Sequence, residues 1–207
     1  MTRGTLLVLS GPSGVGKSTA VAALQRLRPQ LRFSISATTR PPRPSERDGV
    51  NYYFMDRDAF EDLIARGQLL EHAEYVGNYY GTPAAPIDKL LDAGYDVLLD
   101  IEVQGAMQVR QCRADAVLVF LAAPSFSELE RRLRGRGDTA PELIEKRMQT
   151  AHREYQFADR YDYIVISDLV EKTAEELNAI LTAEQCRTHV RLAQLKEDSF
   201  YVVPTNG

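Results

Sequence analysis

The 207-residue sequence contains only two cysteines, no tryptophan and three histidines. Cys112 and Cys186 lack the spacing of a metal site, so we expect both to be reduced thiols in a reducing compartment. The longest apolar runs, such as residues 117–123, are far shorter than the roughly 20 residues that span a bilayer. We therefore expect a cytoplasmic protein that neither spans nor binds a membrane.

An excess of positive charge is also missing. The chain has 25 Lys and Arg residues against 29 Asp and Glu residues, which gives a formal net charge of −4. This balance argues against a general surface for nucleic acid or anionic lipid. An anionic ligand must therefore be bound by a few local groups, and we expect no nucleic-acid partner.

What the sequence does contain is an alternation of strands and helices. Short apolar runs at residues 5–9, 95–102, 116–122 and 163–167 predict buried strands, and their continuous apolarity is typical of a parallel sheet covered on both faces. Helical patterns lie between them, with Ser125 and Glu128 at the spacing of a capping box. No internal repeat is visible, so we predict one α/β domain over residues 1–207.

Two segments interrupt this alternation. Residues 33–86 contain a Pro-rich loop, a predicted helix at 58–66 and the Tyr- and Gly-rich "EYVGNYYGTP", which together indicate a substrate-binding insert. Residues 131–149 place a Gly, Asp, Thr and Pro hinge between basic helical faces, as in a mobile lid. The core then comprises residues 1–32, 87–130 and 150–187, followed by a tail at 188–207.

The stretch "GPSGVGKST" follows the first predicted strand. Gly11, Gly16, Lys17 and Ser18 match the phosphate-binding loop, in which glycines let backbone amides wrap around phosphate oxygens. Lys17 would neutralise the phosphates and Ser18 would bind Mg²⁺. A simple glycine-rich turn is the alternative. With a strand before it and a helix after it, the motif predicts a nucleoside triphosphate as phosphate donor.

The insert and the strand ends suggest the acceptor. Arg40 and Arg43 lie three apart on a Pro-stiffened loop, which suits phosphate capture, although exposed arginines are also commonly solvated. Glu71, Asp100 and Glu102 can only accept hydrogen bonds when ionised, and guanine presents N–H donors on its Watson–Crick edge. Taken singly, each acid could be an ordinary surface charge. Together they favour guanine over adenine.

Together with the motifs around them, these residues resemble a known family over nearly the whole chain. The sequence resembles the guanylate kinase family through seven motifs in order: "GPSGVGKST", "TTRPPR", "NYYF", "GNYYGTP", "LDIEVQG", "RGRG" and "EKRM". The resemblance implies a P-loop nucleoside monophosphate kinase fold, with a parallel five-stranded core sheet flanked by helices, an inserted nucleotide-binding subdomain and a lid. It also implies an enzyme that phosphorylates GMP, and dGMP with it, using ATP and Mg²⁺.

The resemblance assigns roles by position. It places the ATP phosphates on Gly11, Ser13, Gly14, Val15, Gly16, Lys17, Ser18 and Thr19. It places the GMP phosphate on Arg40, Arg43, Tyr52 and Tyr80, and the guanine on Ser36, Glu71, Thr82 and Glu102. Asp100 is similar to the family's acid near the acceptor and the metal's water shell. Arg136 and Arg147 resemble the lid arginines that close over the transferred group, and Lys17, Arg40, Arg136 and Arg147 are the candidate catalytic residues.

Three other classes of protein remain as alternatives. A kinase of this fold that phosphorylates a sugar phosphate would need the arginines but not Glu71 and Glu102. A peptide-binding module on the same fold would not need Lys17 and Ser18, and a P-loop switch or motor would not need the insert. Ser167 stands where the family commonly has asparagine near the adenine, which leaves donor selectivity open. A homo-oligomer is also left open.

Overall fold

The computed structural model describes residues 2–135 and 141–197. Its main sheet has five parallel strands in the order β2-β7-β1-β8-β9. These strands are β1 Leu6–Ser10, β2 Arg32–Phe33, β7 Val97–Asp100, β8 Val117–Ala122 and β9 Tyr163–Ile166. The predicted α/β fold with a five-stranded parallel core is confirmed, and β2, too short to leave a sequence pattern, is the one strand of it that was not predicted.

Both faces of the central strands β1, β7 and β8 are buried, which explains why these strands are almost entirely apolar. Along β1, Leu7 and Leu9 face one hydrophobic cluster, and Leu6 and Val8 face the other. The first cluster is covered by α1 Lys17–Leu27, α5 Phe126–Arg134, α6 Pro141–Tyr155 and α7 Val170–Gln185. The second is covered mainly by α3 Ala84–Asp92 and α4 Val103–Cys112.

The segment between β2 and α3 forms a second, four-stranded sheet in the order β4-β3-β6-β5. Its strands are β3 Ala37–Thr38, β4 Tyr53–Phe54, β5 Leu69–Tyr75 and β6 Asn78–Pro83, and α2 Arg57–Ala65 precedes β5. Strand β3 pairs with β4 in parallel and with β6 in antiparallel fashion, and β5 and β6 form a hairpin. The sequence indicated an insert here but did not predict this sheet.

The remaining elements connect and close the structure. A single 3-10 turn, Ala158–Arg160, joins α6 to β9, and α8 Thr188–Glu197 follows α7 in the region that the sequence left as a tail. Ser125 caps α5 as predicted, because its side chain accepts a hydrogen bond from the Glu128 N–H at 3.1 Å. In the part of the chain that the structure describes, no helix has both the length and the apolarity needed to cross a bilayer.

Candidate active site

The loop between β1 and α1 has a backbone that only glycine accommodates at its key positions. Gly11, Gly14 and Gly16 all have positive φ angles, of 150°, 88° and 108°. A Cβ atom on Gly11 would lie 2.3 Å from the Leu121 carbonyl oxygen, so no larger residue fits there. Gly16 caps α1 and has no side chain, so the first N–H groups of the helix remain available to an anion.

Lys17 is held inside this loop. Its Nζ donates a hydrogen bond to the Gly11 carbonyl oxygen at 2.6 Å. Asp100 ends the neighbouring strand β7, in register with Leu9 of β1, so it lies at the same sheet edge as the loop. Burial raises the pKa of Asp100, and the positive charge of Lys17 opposes that rise. The ammonium group therefore binds the Gly11 carbonyl and lies near the Asp100 carboxylate.

A cavity of about 550 Å³ opens over this loop, and we call it the phosphate-loop cavity. Gly11, Ser13, Lys17, Asp100 and Glu102 form its core side. Its other wall is one face of α6, whose residues recur at spacings of three and four: Leu143, Lys146, Arg147, Thr150 and Glu154. Two cations and one carboxylate of α6 thus face Lys17 across the cavity.

The end of α6 nearest the core is firmly anchored. The Tyr155 hydroxyl accepts a hydrogen bond from the Ala123 N–H at 2.8 Å, and the Tyr155 ring packs edge-on against Phe120. Burial raises the pKa of the adjacent Glu154, and the charge of Lys17 again opposes the rise. Arg147 lies two turns away from this anchor, toward the segment that precedes α6.

A second cavity, of about 370 Å³, lies between the inserted sheet and the core, and we call it the insert cavity. Five of the residues predicted to bind the acceptor line it: Ser36, Tyr52, Glu71, Tyr80 and Glu102. Thr82 Oγ1 donates a hydrogen bond to Glu71 Oε1 at 2.6 Å, so Thr82 reaches the site through Glu71. Burial raises the pKa of Glu71, and the charge of Glu102 raises it further.

The predicted arginine pair lies beside this cavity. Arg40 forms an ion pair with Glu46 at 2.8 Å, which raises the pKa of Arg40, and its guanidinium lies 5.5 Å from the centre of the Tyr52 ring. Glu46 also accepts a hydrogen bond from the Arg43 N–H at 2.7 Å. The Arg43 side chain is exposed. Glu46, which the sequence did not suggest, therefore organises the arginine loop.

A third cavity, of about 380 Å³, lies beside the first turn of α1, and we call it the Ser167 cavity. It is lined by Gly16 of the loop and Thr19 of α1, by the α5 residues Arg131 and Arg132, and by Ser167 and Asp168 after β9. A Cβ atom on Gly16 would lie 3.2 Å from the Ser167 hydroxyl oxygen, so the loop and this residue are in close contact.

Comparison with known proteins decides the family. A family model described as "Guanylate kinase" matches residues 3–184. The chain belongs to the guanylate kinase family. The predicted resemblance is thereby confirmed.

Individual relatives in the guanylate kinase family agree. The chain is 54% identical over 187 residues to a guanylate kinase of Thermus thermophilus, covering 90% of this chain and 84% of that one. It is 49% identical over 184 residues to a guanylate kinase of Desulfitobacterium hafniense, covering 89% of this chain and 92% of that one. A crystal structure of guanylate kinase from Anaplasma phagocytophilum is 34% identical, with a TM-score of 0.71 over 98% of both chains.

The residues predicted from the guanylate kinase resemblance fall into three groups. The phosphate-loop cavity is lined by Gly11, Ser13, Lys17, Asp100, Glu102 and Arg147, the Ser167 cavity by Gly16 and Thr19, and the insert cavity by Ser36, Tyr52, Glu71, Tyr80 and Glu102. The linings do not include Arg40, Arg43, Thr82, or Gly14, Val15 and Ser18 of the loop. Arg136 lies outside the described residues. The structure adds Glu154, Tyr75 and Gln104 to the cavity walls. No local signal marked them, because a polar residue on a helix face or a hairpin looks the same whether it faces solvent or a cavity.

Proposed function

We propose that this chain transfers the terminal phosphoryl group of ATP to GMP, and to dGMP, and that the two main cavities hold the two nucleotides. Family membership supports the reaction. The observation that carries the assignment of sites is that Ile101 and Glu102 line both the phosphate-loop cavity and the insert cavity. Because the two cavities share these two residues, nucleotides bound in them would have their phosphate groups close together.

The insert cavity is suited to guanine. Glu71 and Glu102 offer carboxylate oxygens, which accept hydrogen bonds from the N1–H and N2 amino group of guanine, whereas adenine has no N–H at N1. Ser36 and Thr82 add hydroxyl groups to this set. Tyr52 and Tyr80, with Arg40 and Arg43, supply phenolic and guanidinium donors for the GMP phosphate. None of these residues is assigned to the ribose 2′-hydroxyl, so dGMP is included in the acceptor panel.

The phosphate-loop cavity is suited to the phosphates of ATP. Backbone N–H groups of Ser13, Gly14, Gly16 and the start of α1, together with the hydroxyls of Ser13, Ser18 and Thr19, donate to phosphate oxygens, and Lys17 exchanges its bond to the Gly11 carbonyl for a phosphate. The Ser167 cavity, on the other side of the loop, receives the adenine. Ser167 and Asp168 are then the residues closest to the donor base.

The chemistry requires alignment and charge neutralisation more than proton transfer. The attacking group is a phosphate oxygen of GMP, which is already anionic, so no general base is needed. The barrier is the repulsion between two anions, which Lys17, Arg147 and Arg136 reduce in an in-line transfer. Inward movement of the insert at 33–86 and the lid at 131–149 excludes water, which would otherwise hydrolyse the donor.

Two oxygen donors at the edge of the main sheet fit Mg²⁺, one at the start of α1 and one at the end of β7. Ser18 offers a hydroxyl oxygen and Asp100 a carboxylate oxygen, both of the hard type that Mg²⁺ prefers. Among the described residues no group of three or more His, Cys, Asp or Glu side chains forms a metal cage. A site completed by nucleotide phosphates and water matches this composition. The bound ion would supply further positive charge at the phosphates, with Asp100 acting through its water shell.

The first test is ADP release in the presence of ATP and Mg²⁺ with a panel of acceptors: GMP, dGMP, AMP, CMP, UMP and ribose 1,5-bisphosphate. We expect turnover with GMP and dGMP alone. Turnover with the sugar phosphate, or equal turnover with AMP, would contradict the base-reading role of the carboxylates. Omitting the acceptor measures ATP hydrolysis and provides the background rate.

A further inference from the structure

Strand β5 carries Glu71 in an irregular part of the inserted sheet. Leu69 pairs with Pro83 and His72 with Gly81, so Leu70 and Glu71 together lie opposite the single residue Thr82. This arrangement is a β-bulge, which bends the strand and redirects the side chains at that point. The direction of the Glu71 carboxylate therefore depends on whatever holds the bulge in place.

Helix α4 holds it from the outer edge of β5. The His72 N–H donates to Gln108 Oε1 at 3.0 Å, and Gln108 Nε2 donates to the His72 carbonyl oxygen at 3.0 Å. A neighbouring strand would make the same pair of bonds. One turn further along α4, the Cys112 thiol donates to the Leu70 carbonyl oxygen at 3.4 Å. The two residues that flank Glu71 are thus both bound by α4.

Gly105 lies one turn before Gln108 on the same face of α4 and is buried. A Cβ atom on Gly105 would lie 3.1 Å from Glu71 Oε2 and 3.4 Å from its Cγ. Glycine is unfavourable in the interior of a helix compared with alanine. The space that the missing methyl group leaves is filled by the Glu71 carboxylate.

We propose that Gly105 and Gln108 are positioning residues for base recognition, which hold the Glu71 carboxylate in the direction that reads guanine. Glu71 Oε1 is bound by Thr82, so Oε2, the oxygen next to Gly105, is the one left for the base. Glu102 immediately precedes α4. One helix therefore fixes both acids of the insert cavity. This inference rests on the proposed function.

The test compares Gly105→Ala and Gln108→Met with the parent chain, using GMP and inosine monophosphate, which lacks the 2-amino group. The alanine methyl displaces Glu71 by a few tenths of an ångström, and the methionine keeps the length of Gln108 without its hydrogen bonds. We expect kcat/KM for GMP to fall about tenfold in each variant, the change that one lost hydrogen bond produces. The ratio of kcat/KM for GMP to kcat/KM for inosine monophosphate should decrease, and KM for ATP should not change.

Two controls separate positioning from structural damage. Gln111→Met changes an exposed residue of the same helix and should behave as the parent chain. In a Glu71→Gln background, Gly105→Ala and Gln108→Met should cause no further loss with GMP, because both act through Glu71. Thermal denaturation of Gly105→Ala should show an unchanged or higher midpoint.

The inference is overturned if GMP and inosine monophosphate lose kcat/KM by the same factor, if the two variants keep the parent preference, or if their losses add to that of Glu71→Gln. Failure of the proposed function gives a different result, since the parent chain itself would then show no GMP-dependent ADP release.

Discussion

Replacing Glu71 with glutamine removes one negative charge from the insert cavity and leaves its shape almost unchanged. The glutamine can keep the 2.6 Å bond from Thr82 Oγ1 only if its carbonyl oxygen takes the place of Oε1. Its amino group then faces the cavity, where guanine presents N–H donors. Two sets of donors would face each other, so we predict weaker GMP binding.

The magnitude follows from the bond that is lost. A hydrogen bond to a charged group contributes about 1.5–3 kcal/mol. At 1.4 kcal/mol for each factor of ten, the dissociation constant for GMP should rise about 10- to 150-fold. Affinity for ATP should not change, because Glu71 does not line the phosphate-loop cavity.

The same substitution should not destabilise the fold at neutral pH. Burial raises the pKa of Glu71, so the folded state binds the proton more tightly than the unfolded state does. The free energy of unfolding contributed by this group is therefore present at low pH and is lost as the pH rises through the raised pKa. Glutamine does not ionise, so the variant does not lose this stability as the pH rises. Above the raised pKa of Glu71, we expect the melting temperature of the variant to be equal to or higher than that of the parent chain.

Isothermal titration calorimetry with GMP at several pH values measures both effects. In the parent chain, GMP affinity should fall as the pH is lowered and Glu71 becomes protonated. The GMP phosphate, with a pKa of about 6, titrates in both proteins, so the difference between them isolates Glu71. Glu61→Gln, on the solvent side of α2, is the matched control. A dissociation constant within about twofold of the parent value would refute the role of Glu71.

Four further predictions concern the phosphate-loop cavity and the closing movement. Lys17→Met should lower kcat about 10²- to 10³-fold with an unchanged melting temperature, as measured by ADP release and calorimetry. Arg147→Met should lower kcat about 10³-fold, with a smaller change in KM for GMP; a raised KM with an unchanged kcat would indicate a binding role instead. Gly11→Ala places a Cβ atom 2.3 Å from the Leu121 carbonyl oxygen, so ATP binding should be lost and the free energy of unfolding should fall by about 1–3 kcal/mol. Saturating GMP alone should move residues 33–86 inward, and X-ray scattering profiles that do not change would argue against this movement.

Prediction from sequence succeeded where the signal was local. Strand β1 is apolar from Leu6 to Leu9 because both of its faces are buried, and this run of residues is unambiguous. The loop from Gly11 to Ser18 has fixed spacing and a strand and a helix on either side. The cap at Ser125 depends on a residue three positions away. Each of these features can be identified without knowing what packs against it.

The inserted sheet was missed for the opposite reason. Strands β3 and β4 have two residues each, too few to show any period. Strand β5 is bulged, so its alternation of buried and exposed residues is interrupted. The bulge is held by the side chain of Gln108, which lies 36 residues away in the sequence. Only the tertiary structure brings that residue to β5.

The same limit applies within the site. Glu154 on α6 has the pattern of a solvated helical charge, yet it faces Lys17 across the phosphate-loop cavity. Glu46 lies in a loop rich in charge, and only its bond to Arg40 shows that it orders that loop. Charged residues have no sequence signature that separates a partner across a cavity from a surface group.

The core and the insert should contribute differently to kcat and to KM, because the strands of the core that carry the site are fixed by burial. Asp100 ends β7 and Glu102 lies two residues beyond it, and the register of β7 with β1 is fixed by the buried pair Leu6 and Val97. The phosphate loop starts at the end of β1. The phosphate loop and the residues shared by the two cavities, Ile101 and Glu102, therefore extend from one buried strand pair, and their separation does not depend on the insert or the lid. A displacement of about 1 Å between reacting groups can cost about 10²-fold in rate. Substitutions at this strand edge should thus act mainly on kcat, whereas substitutions in the inserted sheet should act mainly on KM for GMP.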